Sequence, residues 1–140
     1  MNGKKTYIID ACALIAFLAD EEGAGKIENL IRRAHRGEII LILHKINLLE
    51  IYYNTLRVKG KSFANDEYNK ILQLPVEIID PISDEVFFEA ARLKIAYRIS
   101  LADSIALSEA LIRKATIINS DHHEFDIVEK NEKIIFFWLR

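Results

Sequence analysis

Thr6-Tyr7-Ile8-Ile9-Asp10-Ala11-Cys12-Ala13-Leu14-Ile15-Ala16-Phe17 runs from β-branched and aromatic residues, through one acid, into an apolar segment of helical character. A strand from Thr6 to Ile9 with no polar face belongs inside a parallel sheet covered by helices, and ligands of such sheets gather beyond the carboxyl ends of the strands. Asp10 stands at such an end. Taken alone it reads first as the N-cap of the helix that follows, because an Asp side chain accepts from orphan backbone N–H groups there. A chemical role has to be carried by other acids acting with it.

Further along, strands and helices alternate. Cys12 to Ala19 reads as a short helix broken by Asp20-Glu21-Glu22-Gly23. Ala24 to Arg36 has Ile27, Leu30, Ile31 and Ala34 at helical spacing and Gly37 as a stop. Glu38 to Leu43 is a second strand too apolar to face water, Lys45 to Lys59 a third helix and Ser62 to Leu74 a fourth. Val76 to Ile79 is a strand between Pro75 and Pro81. Ser83 opens a helix to about Tyr97, Ser100 to Lys114 is the sixth, Thr116 to Asn119 a fourth strand, His122 to Glu129 a last short helix and Lys133 to Trp138 a closing strand. This alternation predicts right-handed crossovers and a three-layer α/β/α fold around a mostly parallel, roughly five-stranded sheet.

The 140 residues, with 51% hydrophobic and 29% charged side chains, fit one globular domain spanning 1–140. The single cysteine, Cys12, cannot form an internal disulfide, begins an apolar segment and is expected as a small core residue. No apolar run approaches the ~18 residues of a membrane helix, so a cytoplasmic protein that avoids membranes is expected. A formal charge of −2 argues against coating nucleic acid by bulk charge, unless several acids are gathered around cations.

Three further acids invite that exception. Glu50 lies in a helix otherwise crowded with Ile46, Leu48, Leu49, Ile51, Tyr52, Tyr53 and Leu56, with only Asn47 and Asn54 as polar neighbours at helical spacing; a carboxylate there is rarely buried without a partner. Asp103 sits in the first turn of the sixth helix, where it also fits a capping box with Ser100, and Ala102, Ala106 and Ala110 permit close packing beneath it. Asp121 follows the fourth strand and also fits a cap, with Glu124 as its box partner. Each of these is weak alone. Together they predict carboxylates clustered at one edge of a parallel sheet, which would raise one another's pKa values unless a hard cation such as Mg²⁺ or Mn²⁺ intervened. The histidines are a poorer metal signal: His122 and His123 lack a second His at helical ligand spacing and are expected in a solvent-facing loop or at a phosphate, and His35 and His44 offer less.

Tyr7-Ile8-Ile9-Asp10, Asn47-Leu48-Leu49-Glu50, Ser100-Leu101-Ala102-Asp103-Ser104 and Ile117-Ile118-Asn119-Ser120-Asp121, in that order over nearly the whole chain, resemble the PIN-domain ribonucleases, and in size the VapC-type toxins of VapBC toxin–antitoxin pairs. The resemblance implies a metal-dependent endoribonuclease in which Asp10, Glu50, Asp103 and Asp121 are the acidic catalytic and metal-binding quartet. It also implies Mg²⁺ or Mn²⁺ as cofactor, an RNA substrate, a cognate antitoxin and a homodimer. Cys12 stands where that family often has Ser, Thr or Asn, Asn119 where it often has Thr, and His44 where a small hydroxyl residue is common, which bears on hydrogen bonding around the metal. A catalytically inactive RNA- or protein-binding module of the same fold is the alternative, favoured by loss of a quartet acid; all four are present. A receiver domain would need paired acids after the first strand and a late Lys, and a haloacid-dehalogenase-type phosphatase an Asp where Cys12 stands.

The apolar Ile134 to Trp138 run and the Tyr52-Tyr53 pair are candidate contact surfaces, although most of them are expected in the core. Arg32, Arg33 and Arg36, Arg57 with Lys59 and Lys61, and Arg92, Lys94 and Arg98 are basic clusters that could steer an RNA backbone; ordinary solvated surface is the first reading of each.

Overall fold

The computed structural model of the protein describes residues 3–140. Strands β1 (Lys5–Ile9), β2 (Ile39–His44), β3 (Glu77–Ile79), β4 (Thr116–Asn119) and β5 (Ile135–Trp138) form one sheet in the order β3-β2-β1-β4-β5, with every neighbouring pair parallel. Helices α1 (Ala11–Leu18), α2 (Ala24–His35), α3 (Lys45–Lys59), α4 (Lys61–Leu72), α5 (Asp84–Ala96), α6 (Leu101–Arg113) and α7 (His122–Asn131) supply the connections. The expected three-layer arrangement is present, and the sheet is parallel throughout.

Side-chain alternation along the strands divides the core in two. Tyr7, Ile9, Leu41, Leu43 and Ile118 pack with residues of α1 to α4, including Leu14, Ile27, Leu30 and Ile51. Ile8, Ile42 and Ile117 face the other way, toward Leu93, Ala106, Leu107, Phe125 and Val128 of α5, α6 and α7. Ile8, Ile9, Ile117 and Ile118 are each at most 1% exposed, so the two central strands are apolar on both faces because both faces are covered. Each such side chain contributes about 1.5–3 kcal/mol through burial.

Two strands are shorter than their apolar runs suggest. Val76 is outside β3 because its N–H is committed to the carbonyl of Leu74 at 2.7 Å, in the turn leading into the strand. Lys133 and Ile134 precede β5 because ladder pairing with β4 begins at Ile135 against Thr116.

The register lines up one row at the carboxyl edge. Ile8 is level with Ile42, Ile9 with Ile118, and Asn119 with Trp138. One residue further on, Asp10 falls between His44 and Asn119, with Trp138 beyond. The segment after β5 is locked in place: Leu139 donates its N–H to Asn119 at 3.0 Å and packs against Gly23. Gly23 has φ +95°, and a Cβ there would lie 2.6 Å from the Leu139 Cβ, so both the turn and the close approach require glycine.

Candidate carboxylate site at the carboxyl edge of the sheet

Asp10 is 2% exposed and does two jobs. Its Oδ1 accepts from the Ala13 N–H at 2.8 Å, capping α1, while Oδ2 accepts a short hydrogen bond from the Asn119 amide. The cap and the site are therefore one residue, and the two readings of Asp10 are compatible. Asn119 is itself fully buried, and its Oδ1 accepts from the Asp121 N–H at 2.6 Å. This one amide ties the positions of two acids on different elements.

Asp121 caps α7, its carboxylate accepting from the Glu124 N–H at 3.3 Å. Asp103 is in the first turn of α6, where Ser100 Oγ accepts its N–H at 3.0 Å. Glu50 projects from α3, half-buried, and α3 packs against α6. Thus all four predicted site residues reach the same edge.

Their charges interact. Burial first, opposed by the hydrogen bond from Ala13 and supported by the charges of Asp103, Glu50 and Asp121, raises the Asp10 carboxyl to about 8. Burial also raises Asp103, opposed by its bonds to Ser100 and supported by Glu124 and Asp121. Glu50 is raised by burial and then by Asp103. Among the described residues, however, no three His, Cys, Asp or Glu side chains are drawn together to the spacing of a formed metal site. The quartet shares a field without a closed coordination shell.

Glu124 reads in the sequence only as a capping-box partner, yet it lies close enough to Asp103 to raise its pKa. The signal was its spacing of three from Asp121 at a helix start, which turns it toward the same edge. Asn47 reads in the sequence only as part of a polar stripe; it is fully buried, its Nδ2 donates to the Ala102 carbonyl at 3.4 Å, and its Oδ1 has no hydrogen-bond partner among the described residues. An orphaned acceptor one turn before Glu50 adds oxygen to this edge.

Cys12 corrects an expectation. It is exposed rather than in the core, because α1 turns its Ala13, Leu14 and Ala16 inward and Cys12 outward at the rim of the carboxylates. Desolvation, followed by Asp10, Asp103, Asp121 and Glu50, pushes the thiol up to about 12, which keeps it protonated and a poor nucleophile.

His44 caps α3 through Nδ1, which accepts from the Ile46 N–H at 3.1 Å. Its Nε2 faces the Pro81 carbonyl at 3.3 Å and Glu109 of α6 at 3.5 Å. His122 starts α7 rather than lying in a loop. Its Nδ1 meets Asp126 at 2.7 Å and its Nε2 the Arg140 carbonyl at 2.6 Å, and both contacts raise its pKa.

One of the basic clusters is paired throughout with acids, and a second at its first member only. Arg32, Arg33 and Arg36 pair with Glu28 or Glu38, and Arg92 with Glu89 and Glu132.

An all-parallel α/β domain with acids from β1, α3, α6 and the β4–α7 junction at one sheet edge defines a recognisable class. The sequence matches the PIN domain family over residues 7–131, and the chain belongs to that family. No curated protein sequence matches it. Among solved structures, it is similar to a chain of VapBC2 from Rickettsia felis bound to a promoter DNA fragment. There the identity is 20%, the TM-score 0.73, and 94% of this chain and 97% of that one are covered. A chain of DNA-bound VapBC from Salmonella typhimurium gives 13% identity and TM-score 0.74, with 97% and 99% covered. VapC20 of Mycobacterium tuberculosis, a sarcin–ricin-loop-cleaving toxin, gives 13% identity and TM-score 0.60, with 87% and 94% covered.

Proposed function

We propose that this protein is a VapC-type toxin, a cytoplasmic endoribonuclease that hydrolyses RNA phosphodiester bonds with Mg²⁺ or Mn²⁺ and is held in check by a cognate antitoxin. The observation that carries the reading is the burial of Asp10 at the carboxyl edge of the sheet, tied through the Asn119 amide to Asp121 and facing the charges of Asp103 and Glu50. A fold that desolvates one acid and surrounds it with three others bears an electrostatic cost, which a divalent cation would offset. The donor set is all oxygen, and the nearest thiol is protonated, so a hard cation fits it better than zinc.

Asp10, Asp103 and Asp121 would hold the ion, with Glu50 completing the set directly or through water. When bound, such an ion supplies charge neutralisation and Lewis acidity toward a phosphodiester. The chain's own residues do the rest. The Asn119 amide fixes Asp10 and Asp121 relative to each other, Ser100 holds the backbone of Asp103, and Glu124 adds a further negative charge beside Asp103. The likeness to VapBC structures supports an antitoxin partner, and two surfaces are available for protein contacts. Leu49, Tyr53 and Leu56 of α3 are exposed on the helix that carries Glu50, which suits an antitoxin segment continuing into the acidic edge. Phe87, Phe88, Ile95 and Leu101 of α5 and α6 are exposed on the other layer and suit a homodimer.

The test is cleavage of structured and single-stranded RNAs by purified protein with Mg²⁺, Mn²⁺ or EDTA, beside Asp10→Asn and Asp103→Asn. Metal-dependent cutting that falls by at least about 10²-fold in both variants is the expected result. Equal background in all three proteins, once a bound antitoxin has been removed, would sink the nuclease reading and leave a binding module.

A further inference from the structure

The side chains at the far end of the carboxyl-edge row make an aromatic stack that the carboxylate chemistry does not use. The ring of His122 lies on Trp138 at 3.7 Å between centroids and 17° between planes, and Trp138 lies on Phe136 at 5.0 Å and 12°. Both heteroaromatic rings are held in their planes by their edges. His122 has Asp126 on one nitrogen and the Arg140 carbonyl on the other, and the Trp138 indole N–H donates to Glu129 at 3.1 Å. The backbone beneath is fastened as well: Trp138 is in register with Asn119, and its carbonyl accepts from Lys26 at 3.3 Å. The His122 side chain nevertheless remains 46% exposed. With one face on Trp138 and both nitrogens occupied, the exposure is at its outer face and carbon edge.

A planar ring pinned at both edges and open on one face is preorganised for stacking, because no side-chain freedom remains to be lost when a second ring covers it. Its position selects the occupant. His122 directly follows Asp121, and Trp138 stands beside Asn119, whose amide holds Asp10; the stack is two strand spacings from Asp10, at ~4.8 Å each. A strand whose phosphate lies at the carboxylates therefore carries a neighbouring base past the ring.

We propose that the outer face of His122, backed by Trp138 and Phe136, is a stacking site for one unpaired nucleobase of the RNA substrate, adjoining the scissile phosphodiester. This rests on the nuclease reading above. Stacking of this kind accepts any base by its π-face and favours single-stranded or flipped-out positions over paired ones.

The test is an abasic scan. A fluorescein-labelled single-stranded RNA that the wild type binds in Ca²⁺ is remade with one base removed at each successive position, and its affinity is read by anisotropy for wild type, His122→Ala and His122→Phe. One position should weaken wild-type binding by roughly 5- to 100-fold when its base is absent. That penalty should disappear in His122→Ala and persist in His122→Phe, which keeps a flat ring on Trp138. Melting curves of both variants control for loss of the α7–β5 fastening. Binding by wild type with a flat scan, or an unchanged penalty in a folded His122→Ala, overturns the stacking site and leaves the nuclease reading intact. Absence of both RNA binding and cleavage in wild type overturns the two together.

Discussion

Asp10 keeps its proton until about pH 8 in the fold, whereas an ordinary aspartic acid loses it at 3.8. Between those values the folded chain binds a proton that the unfolded chain does not, so metal-free stability falls as pH rises through this window and levels off above about 8. Melting of EDTA-treated protein between about pH 7 and 8.5 should therefore show a falling Tm. The slope should shrink in Asp10→Asn, and saturating Mg²⁺ should raise Tm most at the alkaline end; a flat, Mg²⁺-insensitive profile would count against cation binding at Asp10. Asn119 makes a second expectation at this scale. Removing its amide in Asn119→Ala frees Asp10 and Asp121 from each other and should lower cleavage by about 10- to 100-fold, with a matching loss of Mg²⁺ affinity by calorimetry. The four acids were legible in the sequence only as a group: three of them also fit helix starts, and it was their recurrence after apolar strands and on the flanking helices that pointed to one edge. The amide clamp was not, since nothing in the order of residues says that Asn119 lies beside Asp10 on the neighbouring strand.

Helix α3 shows why element-level reading goes only part of the way. Its start, length and end are as the sequence predicts, and Leu48 and Ile51 fill the core, but Asn47 of its polar stripe is fully buried, with Glu50 and Asn54 half-buried, while Leu49, Tyr53 and Leu56 are exposed. Amphipathic logic explains the buried Leu48 and Ile51 but not a buried Asn47 beside exposed Leu49, Tyr53 and Leu56, the combination that the proposed site and antitoxin contact would account for. The same helix is tied to α6 by His44, whose Nδ1 caps α3 and whose Nε2 faces Pro81 and Glu109; Glu109 in turn pairs with Arg113 at 2.8 Å. Because Nδ1 accepts, the proton is placed on Nε2 and the ring is neutral. Burial lowers the His44 pKa below 6.5 despite Glu109, so the unfolded chain takes up a proton first and this contribution to stability is lost as pH falls below 6.5. His44→Ala leaves the Ile46 N–H uncapped and the buried Glu109 short of a neighbour, a loss of about 2–4 kcal/mol by denaturant unfolding at neutral pH. A change under about 0.5 kcal/mol, the size of an ordinary surface substitution, would show that the network does not hold α3 to α6.

At the scale of the molecule the chain presents apolar surface on both outer layers. Phe87, Phe88 and Ile95 of α5 are 61%, 70% and 89% exposed, next to Leu101 at the start of α6. No helix among the described residues is long and apolar enough to cross a membrane, and a soluble monomer rarely leaves so many large apolar side chains together in water. The α5–α6 face carries none of the four acids except Asp103 in its first turn, so a second copy seated there would pair like with like by a two-fold axis. The α3 face lies beside Glu50, so a segment docked there can reach the acids and block them. These assignments separate experimentally. Ile95→Lys places an unpaired charge in the first face and should weaken self-association by about tenfold or more in sedimentation, with antitoxin binding retained. Tyr53→Lys should do the reverse, releasing a co-expressed antitoxin while the oligomer persists. Exchange of these two outcomes would exchange the faces, and a chain that stays monomeric before and after Ile95→Lys would remove the homodimer from the proposal while leaving the carboxylate site untouched.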